Sequence, residues 1–294
     1  MPDTLFITPG PISWASSRMR AHWVAEHMDA DTMQINEIIQ QNHISPAYNN
    51  YIFSKSFNNS IADILLERNM RLWWDICDPI HWFTPNEVRQ FADRITGFVF
   101  SCDGLRDDFM AWYGETDKPV AVIPDRVKLS HFTPRETIST DKPLRFIWFG
   151  AGQNRHSVIS SFAYLDRLYA NGVECILTIF DDAGRQQVEM AKVPMQFINW
   201  DLRYESQVIS SHDIAILPGY PGPWGKVKSN NKCVTAAACG VVPTHGEDWE
   251  ELWTLATNPD VRRERTLIYL DTVRRDYNVE KSAQEWKELI DAQH

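Results

Sequence analysis

The sequence predicts an α/β protein made of two similar halves, each a parallel sheet with crossover helices. Three observations carry this. Short apolar runs alternate with amphipathic stretches almost from end to end, the pattern of parallel strands joined by helical crossovers. The rhythm is interrupted over residues 133–143 ("TPRETISTDKP"), where Pro, Thr, Ser and charge give linker chemistry, and then begins again. The length, 294 residues, is more than one small domain needs and suits two of medium size.

Taken in order, "TLFITPG" (residues 4–10) reads as the first strand with Gly10 in its exit turn, and "SSRMRAHWVAEHM" as the helix that follows. Further strands are expected at "NYIFSKSF", "RLWWDI", "GFVFSC" and "PVAVIP", separated by helical patterns such as "NSIADILLERN" and "EVRQFADRI". After the linker, "LRFIWFGAG" supplies a strand and a glycine turn, "SVISSFAYLDRLYANG" a helix ending in Asn-Gly, and "VECILTIFDD" a second strand. "MQFINW", "HDIAILPG" and "GVVPTHG" continue the series, and the stretch from Leu267 onward is helical throughout. The expected layout is a Rossmann-like domain over residues 1–135, a second over 143–270, and terminal helices over 271–294 that pack back toward the first. Ligands of open α/β sheets bind beyond the carboxyl ends of the strands, where backbone amides and helix N-termini are exposed. With two facing sheets, that places the site in the cleft between the halves.

Composition narrows the function classes. The apolar, aromatic and charged fractions are those of a globular chain, and a formal charge of -10 argues against broad attachment to a nucleic-acid backbone, which rests on Lys and Arg. The N-terminus has no charged leader or long apolar region, and no run approaches about 18 apolar residues, so a soluble, cytoplasmic protein is expected. None of the five cysteines falls in a Cys-x-x-Cys pair, which fits reduced, buried thiols. No histidines pair at metal-ligand spacing, and Asp181 and Asp182 in "FDDAG" are adjacent strand residues that point to opposite faces, so no metal is expected. "GAGQNR" lacks the third glycine of a dinucleotide fingerprint. Most tryptophans should pack the core or the domain interface; Trp14 and Trp82 lie in loops where an indole could stack on a sugar or a base.

The most informative segment is "WGKVKSNNKCVTAAACGVVPTHG". It follows a Pro/Gly loop at the end of the "DIAILPG" strand and reads as a helix with Ser229 or Asn230 as N-cap and Gly240 as its stop. Lys226, Lys228 and Lys232 crowd the positive end of that helix, an unfavourable placement unless an anion is bound. Ammonium groups, amide side chains and free backbone N–H groups converging on one point make a phosphate or diphosphate cradle.

This run, preceded by "SSHDIAILPG", resembles the donor-binding segment of GT-B glycosyltransferases, in which an Asp-Ile-Ala/Gly strand leads to Lys-x-Asn-x-Lys, an alanine-rich helix and Gly-x-Pro. "SSRMRAHWVAEHM" is similar to the Ser-x-Arg-x-Arg helix after the first strand of such enzymes, "WWDICDP" to their Tyr-Asp-x-x-Asp segment, "VIPDRVKLSHF" to the stretch that closes the first domain, and "FIWFGAG" to the strand and turn that open the second. The order matches over most of the chain. The resemblance implies a GT-B fold and transfer of a sugar from a nucleotide-diphosphate donor, held mainly by the second domain, to an acceptor hydroxyl held mainly by the first. It brings Lys228, Asn230, Asn231 and Lys232 to the diphosphate or sugar, lets the backbone at Gly150 and Gly152 approach the donor, and adds Arg155 as a second cationic clamp and Trp200 beside the base. The nucleotide sugar is a co-substrate; no cofactor or metal is implied. The sequence departs from the family at Val227 and Thr235, where many members carry a Glu-x7-Glu pair whose second Glu grips the ribose; either Asn231 or Glu247 serves instead, or the donor is an unusual one.

In the first half, Asp75, Asp78 and His81 of "DICDPIHW" end a strand and are the acid/base candidates. Arg18 and Arg20 begin a helix and either touch phosphate or form a salt bridge. A small molecule or glycan is the expected acceptor. The competing readings are a transferase acting on modified bases in DNA, a sugar-nucleotide epimerase or phosphorylase on the same scaffold, and a non-catalytic nucleotide-sugar binding protein.

Overall fold

The structure, a computed structural model, describes residues 2–41, 43–135, 137, 142–183 and 191–293. The chain divides into two compact units: Met1–Lys128, Pro221–Ser229 and Tyr277–His294 form unit 1, and Leu129–Tyr220 with Asn230–Asp276 form unit 2. Within the expected linker, residues 136 and 138–141 lie outside the described residues.

Unit 1 is a six-stranded parallel sheet of β1 (Thr4–Thr8), β2 (Asp31–Gln34), β3 (Asn50–Ser54), β4 (Arg71–Ile76), β5 (Gly97–Phe100) and β6 (Val120–Val122), in the order β2-β1-β3-β4-β5-β6. Every residue of β1, β3 and β5 is buried, as expected of parallel strands covered on both faces, and this is why they read as unbroken apolar runs. The edge strand β2 is "DTMQ", with no buried residue, and it carries no apolar signal. The last helix, Val279–Asp291, starts where the Asn278 side chain accepts from Lys281 N–H. It lays Trp286 edge-on against Phe6 and Trp73, with centroids 6.0 and 6.3 Å away. The stretch expected to be helical throughout therefore breaks at Tyr277 and Asn278, after the helix Pro259–Asp276 of unit 2.

Unit 2 is a five-stranded parallel sheet of β7 (Leu144–Gly150), β8 (Cys175–Asp181), β9 (Met195–Asn199), β10 (Ile214–Ile216) and β11 (Val242–Thr244), in the order β11-β10-β7-β8-β9. Phe146, Trp148, Leu177, Ile179, Ile214 and Ile216 fill its core. The segment expected as one helix after β7 is a 3₁₀ run, Gly152–Ser161, continuing as the α-helix Phe162–Ala170. The alanine-rich helix spans Asn231–Ala238, and Gly240 ends it with φ +70°, a left-handed conformation glycine adopts without Cβ strain.

Both sheets have a point where successive crossovers turn opposite ways, between β1 and β3 in unit 1 and between β7 and β10 in unit 2. The carboxyl ends of these strands are where the fold leaves backbone groups open to a ligand. Among the described residues, no helix is long and apolar enough to cross a membrane.

Candidate functional site

In unit 1 the strand ends are organised by a buried ion-pair network. A π-helical turn, Arg18–His22, follows the short helix Ala15–Ser17; such turns re-aim side chains and recur at functional sites. Arg20 donates from Nε to both carboxylate oxygens of Asp75 at 3.0 Å, and from Nη1 to the Ile123 carbonyl at 2.6 Å and Asp125 Oδ1 at 3.1 Å. Burial works against the Arg20 charge, but Asp75 and then Asp125 outweigh it, and the guanidinium is held charged. Asp75, also bonded by Ser54 Oγ at 3.0 Å, is thus the counter-ion of Arg20. Arg18 turns its Nη1 to the carbonyls of Ser13 (3.1 Å) and Ile12 (3.4 Å), fixing the loop after β1. Gly10 lies under the Trp14 indole: a Cβ there would stand 2.7 Å from the ring.

Asp78 lies just beyond β4 and is gripped from two sides. Lys55 Nζ is 2.8 Å from Oδ2, and Lys228 Nζ bonds Oδ1. Lys55 has φ +56°, a left-handed conformation uncommon for a side-chain-bearing residue, and its N–H donates to the Asp75 carbonyl at 2.7 Å. Burial raises the Asp78 pKa, but the charges of Lys55 and Lys228 and their hydrogen bonds prevail, so the carboxyl sits below its ordinary range. The cluster carries two cations and one anion, a net charge of +1.

His81 is not at an open surface. It is 3% exposed, its Nε2 is 2.9 Å from Asp108 Oδ2, and its ring packs on Phe109 and Trp112 at 5.1 Å. Burial lowers its pKa despite Asp108. The imidazole is built into the wall of the loop after β4.

In unit 2, Lys232 is in the first turn of the helix Asn231–Ala238, and its Nζ stands 4.8 Å over the Trp148 ring and 5.9 Å from the Tyr220 ring. A Cβ on Gly150, at the end of β7, would lie 2.8 Å from that Nζ. The glycine thus makes room for the ammonium at the switch point between β7 and β10. Asn230 occupies the N-cap position without a side-chain capping bond, and Asn231 follows as the first helical residue. Gly152 donates its N–H to Asp182 Oδ1 at 2.6 Å, and a Cβ there would overlap Ala183. Arg155, the expected clamp, is 7% exposed and pairs bidentately with Asp181, Nε to Oδ2 at 2.7 Å and Nη2 to Oδ1 at 2.6 Å. Trp200 follows β9 and donates Nε1–H to Glu205 at 3.2 Å. Among the described residues, no three His, Cys, Asp or Glu side chains are grouped as for a metal ion.

The structure therefore brings Asp78 together with Lys228, and Gly150 with Lys232, while the lysine-rich segment is shared: Pro221–Ser229 belongs to unit 1 and Asn230 onward to unit 2. Sequence reasoning missed Lys55 and Gly104. A Cβ on Gly104 would overlap the Lys226 carbonyl oxygen, so this glycine seats the Pro221–Ser229 segment. Its signal was available: a glycine in the first turn of the helix Asp103–Tyr113 weakens the helix unless a backbone must pass close by.

No family model matches the sequence, and neither does any curated protein. Solved structures do match its fold. A sucrose-phosphate synthase from Thermosynechococcus elongatus superposes with a TM-score of 0.68 at 10% identity, covering 99% of each chain. An alpha-glucosyltransferase in complex with UDP superposes at 0.66 with 9% identity, covering 98% of each. An alpha,alpha-trehalose 6-phosphate synthase from Burkholderia multivorans superposes at 0.63 with 11% identity, over 93% of this chain and 75% of that one. The chain has the α/β fold of the GT-B glycosyltransferases, as its sequence motifs led us to expect.

Proposed function

We propose that this protein is a glycosyltransferase that moves a sugar from a nucleotide-diphosphate donor to an acceptor hydroxyl. One observation carries the reading: at the switch point of unit 2, Gly150 makes room for the Lys232 ammonium at the amino end of a helix. A nucleoside diphosphate leaving group gains negative charge as its bond to the sugar breaks, and a fixed ammonium with helix N–H groups stabilises charge that develops there. Asn230 and Asn231, at the same helix end, are the amides we assign to the donor, and Trp200 the indole we assign to the base. Arg155 and Asp181 neutralise each other, so the phosphate charge falls to Lys232, and Arg155 ties the 3₁₀ run after β7 to the end of β8. Asp181 and Asp182 are engaged by Arg155 and Gly152, which favours compensation of the diphosphate by the protein's own cation.

In this reading unit 1 holds the acceptor. None of the three groups expected as a base is set for proton abstraction: Asp75 is the partner of Arg20, Asp78 is held ionised by two lysines, and His81 is buried against aromatic rings. A base works best with a pKa near the working pH. We therefore favour retention of anomeric configuration, with the departing phosphate taking the acceptor proton. Incubation with a panel of nucleotide sugars and acceptors, read by mass spectrometry, tests the activity. Release of nucleoside diphosphate together with a glycosylated product supports it; turnover of the nucleotide sugar to an isomer, without transfer, refutes it.

A further inference from the structure

The loop after β4 and the segment Pro221–Ser229, both in unit 1, raise a cluster of aromatic rings that the fold itself does not use. Phe83 is 66% exposed and Trp82 38%, and Trp224 is half-buried between them. Trp224 meets Trp82 edge-on at 5.8 Å and 69°, and Phe83 at 5.9 Å and 59°. Large apolar side chains left this open usually mark a binding surface when they are contiguous.

The two indoles are anchored. Trp82 donates Nε1–H to Asp108 Oδ2 at 2.8 Å, the oxygen that His81 Nε2 also engages. The buried imidazole and the carboxylate thus fix the indole by its polar edge and leave its face outward. Trp224 is held from the other side, where Lys228 Nζ lies 5.1 Å over its ring and is itself tied to Asp78.

Size and charge select the occupant. Three partly covered rings offer on the order of 200–300 Å², well short of the roughly 800 Å² that each partner gives to a stable protein interface. The surroundings do not suit a polyanion: the single excess positive charge of Lys55, Lys228 and Asp78 is offset by the Asp108 carboxylate at the edge of Trp82, and the chain is acidic overall. Both bonds to Asp108 fall on Oδ2; Oδ1 accepts none from a described residue, in a side chain 34% exposed, and is the atom a hydroxyl would engage. A small, neutral, rigid ring with an apolar face and hydroxyls at its edge fits these constraints.

We infer that Trp82, Phe83 and Trp224 form a stacking platform for a pyranose ring of a neutral carbohydrate acceptor, with Asp108 Oδ1 receiving a ring hydroxyl. This rests on the transferase reading and names its acceptor class. Saturation-transfer NMR and calorimetry on the full chain, with maltohexaose, cellohexaose and chitohexaose as probes, test it. At least one should bind, and Phe83→Ala and Trp224→Ala should each weaken it tenfold or more, with circular dichroism and the thermal shift given by UDP unchanged. Phe83 is mostly exposed, so Phe83→Ala keeps the test intact if Trp224→Ala fails to fold. Absence of binding by all three probes at 20 mM, binding untouched by both substitutions, or binding of oligo(dT) that these substitutions abolish would each overturn the platform. A UDP shift without glycan binding sinks this inference alone; glycan binding with no response to any nucleotide sinks the transferase reading alone.

Discussion

Replacing Gly104 by Ala sets two calculable effects against each other. Gly104 lies in the first turn of the helix Asp103–Tyr113, and Ala is the better helix former by up to about 1 kcal/mol. On helix propensity alone the protein should become more stable. The structure argues the opposite, because the added Cβ would overlap the Lys226 carbonyl, a backbone atom that can move only by lifting the Pro221–Ser229 segment. That segment buries Val227 to 3% exposure in the core of unit 1, and burying a valine contributes roughly 1.5–3 kcal/mol. Cys102 Sγ also donates to the Val227 carbonyl at 3.5 Å. Losing most of this while gaining the helix term leaves a net destabilisation of about 1–2 kcal/mol, or a Tm lower by about 2–6 °C. Scanning calorimetry of Gly104→Ala reads it directly. Lys228 and Trp224 ride on the same segment, so acceptor binding should fall with Tm. An unchanged or raised Tm with full activity would refute the seating of this segment on the helix.

Further expectations follow from the site and the core. Activity should survive EDTA at its full rate if the diphosphate charge is met by Lys232; loss that magnesium or manganese restores would overturn that assignment. The product of transfer should keep the anomeric configuration of the donor, read by proton NMR during the first turnovers; inversion would refute proton transfer to the departing phosphate. His212 is buried, with Nδ1 2.7 Å from the Val208 carbonyl and Nε2 2.6 Å from Thr178 Oγ1, and burial lowers its pKa. His81 is lowered for the same reason. Both contribute stability that is present above the ordinary histidine value of about 6.5 and lost as pH falls through it, by up to about 1.4 kcal/mol per pH unit each. The urea midpoint should therefore drop between pH 7 and 5.5 and drop less in His212→Gln; a flat profile would contradict this.

How much could be read beforehand depended on how local the cause was. Strands such as "TLFIT" and "GFVF" are buried on both faces, so their burial is written as unbroken apolar runs; β2, "DTMQ", is held by pairing with β1, a cause that lies in its neighbour and not in its own residues. The GT-B fold was legible because its motifs follow strand ends in order. Lys232 and Gly150 were both named from sequence, but not their proximity, which depends on strand order. Arg155 and His81 were named for their chemistry, and their partners Asp181 and Asp108 decide what that chemistry can do. Lys55 gave no signal, since a left-handed lysine after a strand looks like any other lysine. The assignment of Pro221–Ser229 to unit 1 could not be read locally, because the residues it packs on, Cys102 and Gly104 among them, lie more than a hundred positions earlier.

The most direct test is a calorimetric titration of the full chain with UDP, GDP and ADP, repeated on Lys232→Ala. One nucleoside diphosphate should bind the native chain, and Lys232→Ala, still folded, should bind it about 10- to 150-fold more weakly, the loss of one charged hydrogen bond of about 1.5–3 kcal/mol. Equal affinity in the two proteins, or no binding of any diphosphate to the native chain, would contradict it.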